Sequence, residues 1–190
     1  MKKLNSFKSY LQNNFTFTAE EIKELLICFT LKGYKKKEHF LKAGQYCKNV
    51  AFIEKGCFLY YEIIDGEEKV CDFAFENDWI TQYNSLLNNV PSTVNIYAIE
   101  DSKILVMDLP KLEKLTVSIA KIGILRAKLA EQYFTESTKR ASQLANLKAE
   151  ERYEILLKEK PEALQRIPQY HIASYLGIKP QSLSRIRSKN

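Results

Sequence analysis

Gln181, Ser182, Ser184 and Arg185 stand close together near the C-terminus. Gln presents a donor and an acceptor side by side, and Arg presents two parallel N–H groups. These are the side chains that read the major-groove edges of adenine and guanine in bidentate fashion. Lys179, Arg187 and Lys189 flank them, as cations suited to phosphate oxygens. With Pro180 at the head of the run, the implied chemistry is recognition of bases and phosphates, without a covalent step.

Such side chains need two crossed helices to present them. Ile172, Tyr175 and Leu176 give a first helix one apolar face, and small Ala173 lets a second helix cross closely. Gly177 suits the residue just past a helix end, where φ is usually positive. Pro180 suits the first turn of the next helix, where its missing N–H costs nothing. Leu183 and Ile186, three apart, form that helix's buried stripe. The pattern predicts a helix-turn-helix. From Leu164 to Asn190 the chain carries Arg166, Lys179, Arg185, Arg187 and Lys189, with no Asp or Glu. The whole chain is +6, so removing those five charges leaves about +1; the excess is local, as a nucleic-acid footprint would be. An ordinary helical hairpin with a solvated basic face is the bland alternative. The ordered sequence of small residue, Gly turn, Pro start and acid-free tail argues against it.

At 190 residues, 45% of them hydrophobic and with only 6 Gly and 5 Pro, the chain can hold one large or two small globular domains without long linkers. It contains no run of about 18 uncharged apolar residues, and its charged start is not followed by an apolar segment. A cytoplasmic location without a membrane partner is the expectation. Cys28, Cys47, Cys57 and Cys71 form no CxxC pair, and His39 and His171 lie far apart. No metal site and no cofactor is therefore expected, and the thiols read as reduced cytosolic cysteines.

Thr18-Ala19-Glu20-Glu21 is a capping box. Ile22, Leu25, Leu26 and Phe29 follow at helical spacing, predicting a helix over roughly 18–31. From Gly33 to Met107, short β-branched and aromatic runs alternate with turn residues, the texture of a barrel or jelly roll. Ile64-Asp65-Gly66-Glu67 predicts a hairpin turn. Pro110 opens a long helical stretch, about 110–142, on which Leu115, Ile119, Ile122, Leu125, Leu129 and Tyr133 form an apolar stripe. Such a seam can pair with its twin in a second copy or pack on the chain's own β domain; pairing is the expectation. Periodicity lapses near Ser142–Lys148, and another helix follows from Glu150 to Lys160. The predicted fold is α+β: residues 1–145 as a β-roll domain with flanking helices, and 146–190 as the helix-turn-helix domain.

This order of elements resembles the Crp/Fnr family of bacterial transcription regulators over nearly the whole chain. The resemblance is carried by Lys42-Ala43-Gly44-Gln45 to Ile53-Glu54-Lys55-Gly56, by the closing strands Ala98 to Met107, and by the helix-turn-helix. It implies a cyclic-nucleotide-binding-like β-roll, a long dimerisation helix, and a homodimer reading double-stranded DNA. RNA polymerase and a small-molecule effector of unknown identity are further implied partners.

Several departures qualify the resemblance. Where nucleotide-binding members have a Glu for the ribose hydroxyl, this chain has Gln82, after Asn77-Asp78-Trp79-Ile80-Thr81. Where they have an Arg that clamps the cyclic phosphate, it has Ser92, followed by Thr93. A buried phosphodiester without a cation is costly, so tight cAMP or cGMP binding is not expected. Trp79, Gln82, Tyr83, Ser92 and Thr93 are the effector-pocket candidates; Trp79, Tyr83 and Tyr97 could instead fill the roll. The sequence ends at Ser188-Lys189-Asn190, without the β-hairpin wing of many relatives, as in shorter members of the family. Carried over by position, the base-reading residues are Pro180, Gln181, Ser182 and Arg185, with Gln181 where the family usually has Glu. Lys179 replaces the usual Ser or Thr helix cap. A rival reading is a ligand-sensing or protein-interaction dimer whose helix-turn-helix has lapsed. An enzyme is disfavoured, because the strands lack the His and Glu clusters of metal-dependent barrels.

Overall fold

The computed structural model describes residues 5–188. In chain order they form α1 (Asn5–Phe15), α2 (Ala19–Leu26), β1 (Phe29–Tyr34), β2 (His39–Leu41), β3 (Ala51–Lys55), β4 (Phe58–Ile64), β5 (Glu67–Ala74), β6 (Trp79–Ile80), α3 (Tyr83–Asn88), β7 (Asn95–Ala98), β8 (Ser102–Met107), α4 (Leu109–Thr116), α5 (Lys121–Asn146), α6 (Ala149–Glu159), α7 (Ala163–Arg166), α8 (Gln169–Tyr175) and α9 (Pro180–Arg187). The strands make two four-stranded sheets, ordered β1-β8-β3-β6 and β2-β7-β4-β5, and every pairing is antiparallel. This is the expected α+β architecture with a β-roll. Asp65 and Gly66 both have positive φ, 54° and 78°, the backbone of a tight hairpin turn, which sets Ile64 opposite Glu67.

Three elements differ from the sequence expectation. The helix predicted over 18–31 stops at Leu26, although its capping box is present on Thr18 and Glu21. Phe29 and Leu31 lie instead in β1, opposite Met107 and Leu105. Pairing to a waiting strand outweighs a weak helical signal in this aromatic and β-branched run. The stretch after Pro110 is broken at Val117–Ala120 and resumes as α5, which runs on to Asn146. At the break the Thr116 and Ser118 hydroxyls donate to the Leu112 and Leu115 carbonyls, a local alternative to helix continuation. The third difference is α1, whose Phe7 and Leu11, four apart, are fully buried. Its first amides, of Ser6 and Phe7, donate to the Glu54 carboxylate at 3.3 and 3.2 Å, which offsets the orphan donors of a helix start.

The apolar stripe of the long helical stretch faces inward. Ile119, Ile122, Leu125 and Leu129 are buried and Leu115 is partly so, in one cluster with Phe7, Leu11, Leu25 and Phe52. Tyr133 is exposed, with its ring 4.7 Å from that of Tyr83. The seam expected to meet a second copy is thus closed by the chain's own α1, α2 and roll. A second cluster unites the roll, through Leu59, Tyr61 and Phe73, with Leu156, Ile172 and Leu183 of the C-terminal helices.

Gly56 has φ +109°, and a Cβ there would lie 2.1 Å from Ser102 Oγ and 2.8 Å from Ser102 Cα. Gly56→Ala meets both backbone strain and a backbone overlap, so it should lower stability by about 3 kcal/mol or more. Urea denaturation measures this; a loss below about 1 kcal/mol would contradict the assignment.

Candidate functional site

The C-terminal motif folds as its residues dictate. Gly177 has φ +67°. Its N–H donates to the Ser174 carbonyl at 2.9 Å, and the Ile178 N–H reaches back to Ala173 at 3.0 Å, the Schellman pattern that closes a helix. Ala173 is fully buried, where α8 and α9 cross. Pro180 opens α9, and Lys179 precedes it in extended conformation without a side-chain cap. Leu183 and Ile186 are buried. Lys179, Pro180, Gln181, Ser184, Arg185 and Arg187 are exposed and Ser182 is half-buried. One surface of α9 and its leading turn therefore carries the base-reading types and the cations together. Lys189 lies outside the described residues.

One tail cation is not free. Arg166 donates to both Glu76 oxygens at 2.6 and 3.0 Å and to Glu100 at 2.6 Å, so its charge is matched on the roll. Lys160 likewise donates to Asp72 and to the Phe73 carbonyl, each at 2.8 Å. By contrast, Lys179, Arg185 and Arg187 make no ion pair among the described residues. The local positive surface is narrower than the charge count suggested, and it is centred on α9.

Where α8 meets the roll, both histidines join a tyrosine cluster that no sequence spacing predicts. His171, 3% exposed, is hydrogen bonded through Nε2 to Tyr97 Oη at 3.0 Å. His39 Nε2 lies 3.3 Å from Tyr61 Oη, and the Tyr61 and Tyr97 rings meet edge-on at 5.6 Å. Beside them the Ser174 hydroxyl accepts the Val70 N–H at 2.9 Å and donates to the Glu68 carbonyl at 3.2 Å. Burial holds His171 below its ordinary pKa of 6.5. His39 is also held below it, by burial and by Lys42, against an opposing pull from Glu68.

Of the effector-pocket candidates, Gln82, Ser92 and Thr93 are hydrogen bonded within the chain, whereas Trp79 Nε1 is buried without a partner among the described residues. The Gln82 carbonyl oxygen accepts the Ser85 N–H at 2.6 Å and caps α3. The Ser92 hydroxyl donates to the Val94 carbonyl at 2.7 Å and accepts the Val94 N–H at 3.0 Å. The Thr93 hydroxyl donates to the Glu62 carboxylate at 2.5 Å. Trp79 sits in an aromatic cluster, 5.8 Å from Phe7 and 5.4 Å from Phe52. Tyr83 stacks on Tyr133 of α5. A carboxylate thus stands beside Thr93, next to the position where the resemblance calls for an arginine.

Residues 31–118 match the cyclic nucleotide-binding domain family. No curated protein sequence matches the chain. Among solved structures, FixK2 from Bradyrhizobium japonicum superposes with TM-score 0.72 at 18% identity, over 85% of this chain and 83% of that one. The c-di-GMP-responsive global regulator CLP of Xanthomonas campestris gives 0.66 at 17%, over 90% and 91%. A protein of Eubacterium rectale assigned to the Crp/Fnr family of transcriptional regulators gives 0.67 at 16%, over 95% and 87%. The fold of this chain is that of Crp/Fnr-type regulators. No helix among the described residues is long and apolar enough to cross a membrane.

The two depressed histidines fix the sign of a pH effect. Below about 6.5 the unfolded chain binds protons that the folded joint resists, so stability falls as pH drops through that value. Asp78, which burial raises to about 6, works the other way, so the informative quantity is a difference. Between pH 7.5 and 5.5 the wild type should lose more of its urea midpoint than His171→Gln does. Equal losses would mean that His171 does not titrate with folding.

Proposed function

We propose that this chain, a Crp/Fnr-type fold whose residues 31–118 match the cyclic nucleotide-binding domain, is a homodimeric, sequence-specific DNA-binding regulator of transcription that cAMP and cGMP do not gate. The observation that carries the reading is the outer surface of α9. Gln181 and Arg185 lie one helical turn apart, exposed and without ion pairs, on a helix whose opposite side is locked by Leu183 and Ile186. Lys179 and Arg187, at the two ends of α9, suit phosphate.

Absence of nucleotide gating is supported by Glu62 beside Thr93 and by the closed hydrogen bonds of Gln82 and Ser92. A cyclic phosphate placed there would meet a carboxylate and no arginine, and burial without a cation is unfavourable by several kcal/mol.

Dimerisation is supported by the second face of α5. Ile124, Ala127, Glu131, Phe134, Thr138, Ala141 and Ala145 recur at alternating steps of three and four, and all are exposed; Phe134 is 71% and Ile124 56% exposed. Two large apolar residues with small Ala127, Ala141 and Ala145 on the same face, interrupted by Glu131, fit a close two-helix seam. Pairing there would let two α9 helices enter successive major grooves about 34 Å apart. Phe134→Glu should yield a monomer in sedimentation while the chain stays folded, whereas Leu125→Ala, on the inward face, should destabilise the fold by about 2–5 kcal/mol. A dimeric Phe134→Glu protein would place the seam elsewhere.

Selection from randomised DNA by the purified protein tests the reading directly. An enriched inverted repeat is expected, with affinity falling steeply with salt. On that repeat Arg185→Ala should cost about 1–3 kcal/mol and relax one base per half-site. Equal weakening on all sequences would make Arg185 a phosphate contact, and no enrichment at all would count against sequence-specific binding.

A further inference from the structure

The end of α8 leaves four carbonyls without helical partners, and the structure accounts for all of them. Those of Ala173 and Ser174 accept the Ile178 and Gly177 amides of the turn. Those of Tyr175 and Leu176 are taken by guanidinium groups from elsewhere in the chain. Arg140, near the end of α5, donates through Nη2 to the Tyr175 carbonyl, and its guanidinium lies 3.6 Å from the centroid of the Tyr175 ring. Arg152 of α6 donates to the Leu176 carbonyl from Nη2 at 2.7 Å and from Nε at 3.1 Å. Its Nη1 binds the Leu147 carbonyl, the C-cap of α5. A Cβ added at Gly177 would come within 3.8 Å of both Leu144 of α5 and Arg152.

The composition of this clamp is unlike that of a merely stabilising contact. Neither guanidinium makes an ion pair among the described residues, and Arg140 Nε is buried without a partner. A half-buried cation held by carbonyls and a ring face, without a carboxylate, is a poor source of stability. Its gain is geometric: a planar fork has a fixed direction, and helix-end carbonyls, at the negative end of a dipole, orient it. The two forks bind the last turn of α8, only a few residues before Lys179 and Gln181, to the far end of the long helix.

We infer that Arg140 and Arg152 are positioning residues that fix the recognition helix α9 relative to α5, so that the spacing of two reading heads in a dimer follows the setting of the paired helices. The inference rests on the DNA-binding reading above. It concerns orientation and not contact, since both guanidinium groups are engaged with carbonyls at the ends of α8 and α5.

The test uses the full chain with Arg140→Gln, Arg152→Gln and Arg152→Lys; the last keeps the charge and removes the fork. Each is assayed well below its melting temperature on the selected inverted repeat, on unrelated DNA, and on repeats with one base pair added or removed between half-sites. Specific affinity should fall about tenfold, binding to unrelated DNA and its salt dependence should hold, and discrimination between spacings should flatten. A residue needed only for folding would lower the melting temperature and leave spacing preference intact. Unchanged spacing preference and an unchanged ratio of specific to non-specific affinity would overturn the inference while leaving DNA binding in place. A wild type that selects no sequence would instead remove the reading beneath it, and the inference with it.

Discussion

The exposed edge of β5 is the constraint around which the C-terminal half is arranged. An edge strand presents amides and carbonyls that need partners or cover. Here α8 supplies both. The Ser174 hydroxyl takes the Val70 N–H and bonds the Glu68 carbonyl, while Ile172, Ala173 and Leu176 complete an apolar cluster with Leu59, Tyr61 and Phe73. The crossing of α8 with α9 buries Leu183 and Ile186. The ion pairs at Lys160 and Arg166 then lie on the same boundary. The C-terminal helices thus share their core with the roll. Movement of the head would have to break apolar contacts, two partly buried ion-pair sites and the Tyr97–His171 bond together, a cooperative cost and not a soft hinge.

The long helix α5 has two faces, one packed inward and one exposed, and periodicity alone could not separate them. Leu125 and Leu129 belong to a stripe strong enough to suggest a partner helix, yet an amphipathic helix needs one apolar face merely to join its own domain. What decides the matter is what lies opposite, and that is α1. Its Phe7 and Leu11 stand in a short, polar-looking segment with a weak apolar face, which gave no helical prediction. With α1 in place, the inward stripe is satisfied, and the less hydrophobic run through Ile124 and Phe134 is the one left facing solvent.

Much of the C-terminal helix pair was legible because its rules are local. A positive-φ glycine, a proline in the first turn and two apolar residues three apart each act within a few residues, and Gly177, Pro180, Leu183 and Ile186 all behave as local chemistry requires. The β-roll was legible for the same reason, through turns such as Asp65-Gly66. What could not be read were pairings at long range. Arg166 sits 90 residues from Glu76, and nothing in its neighbourhood distinguishes it from the free cation Arg185. The union of His39 and His171 about Tyr97 is of the same kind, as is the approach of Arg140 and Arg152 to one helix end. Side chains whose meaning depends on folding topology carry no sequence period.

In the roll, the fold and the side chains that would form a site are separate questions. Its strands and turns match a nucleotide-binding domain over residues 31–118, but a fold is a scaffold and a site is a set of side chains. At the corresponding positions, Gln82 closes a helix cap and Ser92 closes a turn. Thr93 is tied to a carboxylate instead of standing beside a guanidinium. Each hydrogen bond uses a group that a ligand would need, so a ligand entering there would have to replace internal bonds with equivalent ones before gaining any affinity. The Tyr83–Tyr133 contact goes further, since it places aromatic area between α3 and α5. The link between roll and long helix that an effector could bridge is already made by the protein's own side chains.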